Sequence, residues 1–330
     1  MRSKSGRLSW LLVITALSLQ SSEIIKSPGE GAVLWREPAD LTTRNLYYGP
    51  GGEKDQPRGP FTFIEEDLNG TNPKYVVRDS NKVKWTVKLG LEARPETVAS
   101  RLVWAVGYFA NEDYFLDDIK VDGMPAHVKR GGDLILPGGI MQAARMKRHM
   151  SDEKTEDSWS WRSGPFAGTR ELDGLKVMMA LINNWDLKDV NNKIYVNKES
   201  GEKEYAISDL GASFGTTGLS FPFSHSKGDL SSYERSQFIE KVTPEYVDFK
   251  TASRPSVVYA SRPRSYIRRT KLDDLLHHIP TDDVRWIARI LSGLSNDQIH
   301  DAFRAAGYAQ PQIDAYSQVV EQRIAQLNTL

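Results

Sequence analysis

The stretch "NWDLKDVN", residues 184 to 191, carries two acids, a lysine and two asparagines directly after an apolar helical pattern. Asp186, Lys188 and Asn191 form a tight polar cluster at a point where a helix would otherwise simply stop. An aspartate or asparagine after a helix is more often a turn or cap residue than a functional one. The elements on either side of the stretch therefore decide what it means.

The flanking patterns predict a buried helix before the stretch and a hairpin after it. Apolar residues at helical spacing in "TRELDGLKVMMALINNWD" predict a helix with one buried face. "KIYVN", the turn "KESGEK" and "EYAISDLG" predict two strands joined as a hairpin. Asp209, Leu210 and Gly211 directly follow the second strand, so Asp186 and Asp209 flank the predicted hairpin.

The preceding part of the chain has a strand-rich pattern with one helix. "FTFIEED", "KYVVRD" and "VKWTVKLG" predict three strands, and "PETVASRLVWAVG" predicts a helix. Lys88 ends the third strand and Glu96 lies in the first turn of that helix, with Lys84 and Glu92 as weaker rivals. Between the first two strands, the loop "DLNGTNP" contains the single glycine Gly70.

The order of these elements predicts an α+β chain with two lobes. Residues 61–150 form the predicted β-rich N-lobe. Residues 166–330 form a predicted helical C-lobe, which begins with the buried helix that precedes the hairpin. Residues 23–60 are rich in glycine and proline and predict a linker or loop. The polar, non-periodic residues 151–165 predict the connection between the lobes.

Composition excludes several classes of protein. The 330 residues are 39% hydrophobic and 26% charged, as in ordinary globular proteins. The formal net charge of zero argues against a nucleic-acid partner bound through bulk charge. Because the chain has no cysteine, disulfides, zinc-thiolate sites and cysteine nucleophiles are excluded.

The N-terminus has the pattern of a secretory signal. Basic residues in "MRSKSGR" precede an apolar run of 12 residues, 8 to 19, which is short for a transmembrane helix. Residues 1–22 therefore predict a signal peptide or an uncleaved anchor. The body of the chain is then expected outside the cytoplasm, in the periplasm or at the cell exterior, with membrane anchoring through residues 8–19 only.

Taken in order, these segments resemble the protein-kinase-like superfamily. "DLKDVN" matches the second half of its catalytic loop, and Asp209-Leu210-Gly211 stands in the place of its Asp-Phe-Gly. The closer resemblance is to the atypical HipA-like and phosphatidylinositol 4-kinase-like branches, and to uncharacterised exported bacterial proteins with "NWDLKDxN" and "SDLGASFG". It covers about residues 60 to 220.

The resemblance implies ATP as the nucleotide and magnesium, or alternatively manganese, as the metal. It implies that Asp186 orients an acceptor hydroxyl and that Lys188 steadies the transferred phosphoryl group. Asn191, with Asn192 as its rival, and Asp209 would bind the metal. The phosphate-contacting residues would be Lys88, held by Glu96, and the loop residues Asn69, Gly70 and Thr71, through their backbone amides.

Two functions from different classes remain open. The first is an atypical kinase that transfers a phosphoryl group to an unknown protein, lipid or glycan hydroxyl. The second is an exported pseudokinase-type binding or scaffold module, favoured by the single loop glycine and the export signal. Asn184 and Trp185 replace the His-Arg of the family pattern, which argues against control by activation-loop phosphorylation. Nucleotidyl transfer would use the same metal-binding acids.

Overall fold

The computed structural model describes residues 31–70, 72–215, 227–250 and 274–330. The predicted signal segment, residues 1–22, and the loop residue Thr71 lie outside the described residues. Within the described ranges, no helix combines the length and the apolar character needed to cross a membrane.

The described elements are strands and helices in a mixed order. The strands are β1 Ala32–Val33, β2 Phe61–Asp67, β3 Lys74–Arg78, β4 Lys84–Lys88, β5 Phe109–Ala110, β6 Asp113–Asp122, β7 Ile135–Leu136, β8 Ile140–Arg148, β9 Glu153–Asp157, β10 Asn192–Asn197, β11 Lys203–Ile207, β12 Ile239–Val242, β13 Tyr246–Phe249 and β14 Ile279–Pro280. The helices are α1 Ala93–Ala105, α2 Arg170–Leu181, α3 Leu230–Arg235, α4 Thr281–Leu291, α5 Asn296–Arg304 and α6 Gln310–Leu327. The α+β class predicted from the sequence is confirmed.

The first sheet has an apolar inner face and a charged outer face. Its six strands pair in the order β4-β3-β2-β6-β8-β7, and β4 pairs again with β8, which closes the sheet on itself. Alternate residues of a strand point to opposite faces, so Trp85 and Val87 of β4 enter the apolar interior. Thr86 and Lys88 therefore lie on the outer face, where Lys88 is opposite Arg145 of β8.

Helix α1 packs against β6 and β8 on this outer face. It starts five residues after Lys88, and Gly90 makes the tight turn between them with a φ of 89°. Pro95 lies in the first turn, where its fixed φ suits a helix start and its missing N–H costs nothing. The tight turn brings the start of α1 back to the end of β4.

A second sheet faces the first across a shared cavity and contains the predicted hairpin. Strands β10 and β11 pair antiparallel as expected, and the sheet order is β1-β11-β10-β9 with β5 added beside β11. Strand β9 falls within the stretch 151–165, where the sequence predicted only an irregular connection. Its residues are exposed or half-buried and show no apolar alternation, so the pattern carried no strand signal.

The main core is formed by apolar residues of helices α1, α2, α4, α5 and α6 together with apolar residues of this second sheet. Thr169 caps α2, because its hydroxyl accepts a hydrogen bond from the Leu172 amide at 3.3 Å. At the other end of α2, the buried Arg323 of α6 donates to the carbonyls of Ala180 and Leu181 at 3.2 and 2.9 Å. These bonds satisfy carbonyls that a helix end leaves unpaired, and they fix where the following loop begins.

Candidate active site

The loop that contains Asp186 starts from this fixed helix end. Asn183 adopts the left-handed conformation, with a φ of 53°, which ends the helix and turns the chain. The side-chain oxygen of Asn184 then accepts a hydrogen bond from the Asp186 amide at 3.0 Å. Asn183 and Asn184 therefore shape the loop backbone.

Asp186, Lys188 and Asn191 lie together, as the sequence suggested. The Lys188 ammonium is 2.6 Å from Asp186 Oδ1. The Asn191 amide group donates to the Asp186 carbonyl at 2.6 Å and to its Oδ2 at 3.2 Å. The rival Asn192 is buried and donates instead to the Trp159 carbonyl at 3.0 Å. Asn191 is therefore the asparagine that faces Asp186.

Asp209 is tied to the same loop through the backbone. The amides of Ser208 and Asp209 both donate to the Asn191 carbonyl, at 2.9 and 3.2 Å. The Asp209 side chain is 43% exposed, and its Oδ1 lies 3.2 Å from the Lys88 ammonium. Asp209 thus links the Asp186 loop to Lys88 at the end of β4, and we call the space between these two parts of the chain the cleft.

Lys88 lies at the centre of the charge cluster. Its ammonium is buried and lies 2.7 Å from Glu96 Oε2 and 3.0 Å from Glu92 Oε2, besides its contact with Asp209. Burial alone would lower the pKa of Lys88, but the three facing carboxylates outweigh burial and raise that pKa above its ordinary value. The rival Lys84 is exposed at the far end of β4. Lys88 therefore stays charged at physiological pH.

Arg145 is a site residue that sequence reasoning missed. It lies opposite Lys88 on β8, is buried, and contacts Glu96 Oε1 at 2.5 Å and Asp113 Oδ1 at 3.2 Å. Glu96 is therefore fixed between two cations, Lys88 and Arg145. Arg145 follows Glu96 by 49 positions and lies on another strand, so only the sheet register could have revealed the contact.

Glu92, which the sequence ranked below Glu96, contacts more elements than Glu96 does. Besides Lys88, it accepts a hydrogen bond from the Asn72 side chain at 2.5 Å and forms an ion pair with Lys227. It also packs against Gly211, where an added Cβ would lie 2.7 Å from the Glu92 Cβ. The glycine of the Asp-Leu-Gly stretch is therefore needed for this close approach.

Ionisation of Glu92 is expected to stabilise the fold. Burial alone would raise the pKa of Glu92, but Lys88 and Lys227 outweigh burial and lower it to about 2. A carboxyl group whose pKa is lowered on folding contributes stability above its unfolded pKa. That stability is lost as the pH falls from the ordinary value of 4.5 toward 2.

The test compares the wild type with Glu92→Gln by denaturant unfolding. Near neutral pH, the variant is expected to be less stable, with an upper limit of roughly 3 kcal/mol for the charge contribution. Between about pH 6 and pH 3 the difference should shrink by more than half, because Glu92 becomes protonated in the unfolded wild type while the folded protein still holds it as a carboxylate. A difference that stays constant over this range would show that Glu92 is not held as a carboxylate by its lysine partners.

The glycine loop reaches the cluster through the side chain of Asn72, whereas the sequence suggested phosphate contacts only through the backbone amides of this loop. Asn69 and Gly70 are exposed, and Gly70 has a φ of 71°. The Asn69 amide donates a hydrogen bond to the Asp67 carboxylate at 2.9 Å. The Gly70 carbonyl accepts one from the Arg130 guanidinium at 2.6 Å. The next described residue, Asn72, is the one that contacts Glu92.

Three carboxylates are close enough to share one cation. Oxygens of Glu92, Glu96 and Asp209 lie within 4.8 Å of one another. The Lys88 ammonium already lies within 3.2 Å of all three and is a cation that they share. Magnesium and manganese prefer carboxylate and amide oxygens, which Asp209 and the nearby Asn191 offer beside Lys88. Of the three acids, Asp209 is the most exposed, and it lies next to the loop of Asp186.

A cavity of about 530 Å³ is lined by residues of both sheets, which include neighbours of the charge cluster but not its lysine or its carboxylates. Thr86, two residues before Lys88 on the same face of β4, lines the cavity on the side of the first sheet. Tyr195 of β10 lines it on the side of the second sheet. Asn111 also lines it and donates to the carbonyl of Ser208, the residue before Asp209, at 2.6 Å. Cavities of this size hold small organic ligands.

No protein-family model and no curated relative match this chain. Among solved structures, it resembles the Helicobacter pylori proinflammatory kinase CtkA, with 12% identity and a TM-score of 0.43, over 81% of this chain and 96% of that one. It also resembles a Golgi casein kinase, with 9% identity and a TM-score of 0.38, over 83% of this chain and 71% of that one. Both are kinases, and the likeness extends to the fold alone, so what the site does has to follow from its own residues.

Proposed function

We propose that this protein is an atypical kinase, which uses magnesium, or alternatively manganese, to transfer a phosphoryl group from ATP to a hydroxyl of a protein, lipid or glycan. One observation carries the proposal. Lys88 lies within 3.2 Å of both Glu96 and Asp209, while the Asn191 carbonyl ties Asp209 to the loop of Asp186. The cation for the phosphates, the metal-binding acid and the acceptor-orienting acid therefore converge on one cleft.

Each residue has a role that its contacts support. Lys88, fixed by Glu96, would contact the nucleotide phosphates. Asp209 and Asn191 would hold the metal ion, which would neutralise charge on the phosphate oxygens. Asp186 would orient the acceptor hydroxyl and accept its proton, with Lys188 beside the transferred group. The adjoining cavity has room for the base and ribose.

The acceptor would enter on the exposed side of this arrangement. The Asp186 side chain is 23% exposed and that of Lys188 is 40% exposed, whereas Lys88 and Glu96 are almost fully buried. The buried groups would contact the nucleotide, which is the same in every reaction cycle. The exposed groups can be reached by a second, larger substrate. We therefore expect the acceptor to contact the Asp186 loop.

The direct experiment supplies ATP labelled in its γ-phosphate, with magnesium, to the full chain together with protein, lipid and glycan fractions. Mass analysis of any labelled product should show the gain of one phosphoryl group. A gain of a nucleotide instead would replace kinase chemistry by nucleotidyl transfer at the same site. Bound ATP that is never consumed, with any acceptor or with water, would contradict the enzyme assignment.

The second candidate function is a binding module without catalysis. One observation favours it: both lysines of the site are already paired, because Lys88 has three carboxylate partners and Lys188 is paired with Asp186. Under this alternative the cluster would hold the two lobes together. ATP would then bind without turnover, or would not bind at all.

A further inference from the structure

Three donors from three separate parts of the chain converge on the carboxylate of Glu92. Lys88, from β4, lies 3.0 Å from its Oε2, and Asn72, from the end of the glycine loop, donates to the same oxygen at 2.5 Å. Lys227, which precedes α3, forms an ion pair with its Oε1. The first two belong to the proposed phosphate side of the cleft, and Lys227 comes from a distant segment.

The position of Lys227 is fixed by the residues that follow it. The amides of Gly228 and Asp229 donate to the carbonyls of Ser213 and Phe214, at 2.9 and 2.8 Å. Asp229 then caps α3 by accepting a hydrogen bond from the Ser232 amide at 3.1 Å. The backbone beside Lys227 is therefore attached just after the Asp-Leu-Gly stretch, which places the lysine at the cleft.

The Lys227 ammonium lies between the two halves of the site. On one side it contacts Glu92, and on the other it is 5.6 Å from the ring centroid of Trp185, the residue before Asp186. Its side chain is 24% exposed, so the ammonium has room to move toward a ligand in the cleft. Lys227 thus lies between the proposed nucleotide phosphates beside Lys88 and the proposed acceptor beside Asp186.

Two ammonium groups and an amide N–H are donors that bind phosphate oxygens well. A carboxylate resembles a phosphate to such donors, since both are anions with several acceptor oxygens. We propose that Asn72 and Lys227 act with Lys88 as ligands of the terminal phosphate of the nucleotide, and that Glu92 is the internal anion which this phosphate displaces from Asn72 and Lys227. Glu92 keeps Lys88 as its partner, so its buried charge is not left unpaired.

The inference rests on the proposed kinase function and adds two phosphate ligands to it. A purely structural role is the competing explanation, in which the Lys227–Glu92 ion pair only fastens the segment before α3. The two explanations differ in how binding should depend on the number of phosphates. They also predict opposite effects of removing the Glu92 charge.

The test is calorimetric titration of the full chain with ATP, ADP and adenosine, each with magnesium. Lys227→Met is expected to weaken ATP binding by about ten- to a hundredfold, the range for one charge-assisted contact, and to leave adenosine binding unchanged. Glu92→Gln should bind ATP as tightly as the wild type or more tightly. The matched control is Lys250→Met, because Lys250 pairs with Glu240 away from the cleft and its loss should not affect any of the three ligands.

Three results would overturn the inference. These are an unchanged ATP affinity in Lys227→Met, an equal loss for ATP and adenosine in that variant, and weaker ATP binding in Glu92→Gln when adenosine binding is unaffected. Thermal melts of each variant show whether the protein is folded. If the folded wild type binds none of the ligands, the proposed function fails together with this inference; if the wild type binds ATP, the variants decide the inference alone.

Discussion

Asp186→Asn is expected to lower the rate of phosphoryl transfer by about a hundred- to ten-thousandfold, the usual contribution of a positioned general base. The substitution removes the negative charge that would attract the acceptor proton, while its size and one carbonyl oxygen remain. The hydrogen bonds from Asn191 can therefore persist, and the loop should keep its shape. The affinity for ATP should change little, because Asp186 lies on the acceptor side of the cleft.

Steady-state transfer from labelled ATP measures this effect, and calorimetry measures ATP affinity in parallel. Asp189→Asn is the matched control in the same loop. Asp189 is exposed and accepts a hydrogen bond from the Trp161 amide at 3.2 Å, which an asparagine oxygen can also accept. Equal rates for the wild type and Asp186→Asn would remove Asp186 from the mechanism. Equal losses in the two variants would indicate damage to the loop.

Arg145→Met is expected to have the largest effect on stability, a loss of about 3–5 kcal/mol in the free energy of unfolding. The substitution leaves Asp113 and Glu96 buried with less compensation, since each now has an ion pair with the Arg145 guanidinium. Glu96 retains Lys88 and Asp113 retains a hydrogen bond from Ser100 at 2.8 Å, so folding should survive. Chemical denaturation measures the change.

Arg78→Met is the control for this prediction. Arg78 ends β3 at an exposed position on the same sheet, and exposed substitutions away from special contacts usually change stability by less than about 0.5 kcal/mol. Similar stabilities for Arg145→Met and Arg78→Met would show that the buried network contributes little. A large loss confined to Arg145→Met would support it as the framework that holds Glu96.

Some of the site could be predicted from the sequence because its signals are local and ordered. The polar stretch from Asp186 to Asn191 is contiguous, so its residues had to lie close together whatever the fold. The hairpin between Asn191 and Asp209 also follows from alternation and turn residues. Together these predicted that Asp186 and Asp209 flank the hairpin, and in the structure the Asp209 amide donates a hydrogen bond to the Asn191 carbonyl of the Asp186 loop.

Other contacts depend on how distant segments meet, which no short pattern records. Glu92 contacts Lys88 only because the turn at Gly90 folds the start of α1 back over the end of β4. Arg145 reaches Glu96 through the pairing of β4 with β8. Lys227 reaches the same cluster from a segment that lies 135 positions after Glu92. Long-range register and backbone attachment decide these three contacts.

The most direct test of the account is calorimetric titration of the full chain with ATP, with and without magnesium, beside Asp209→Asn. Asp118→Asn, at an exposed position of β6, serves as the matched control. We expect the wild type and the control to bind ATP only when magnesium is present, and Asp209→Asn to bind it much more weakly. The account would be contradicted if the folded wild type bound none of ATP, GTP and ADP. It would also be contradicted if ATP bound equally well without magnesium and equally well to Asp209→Asn.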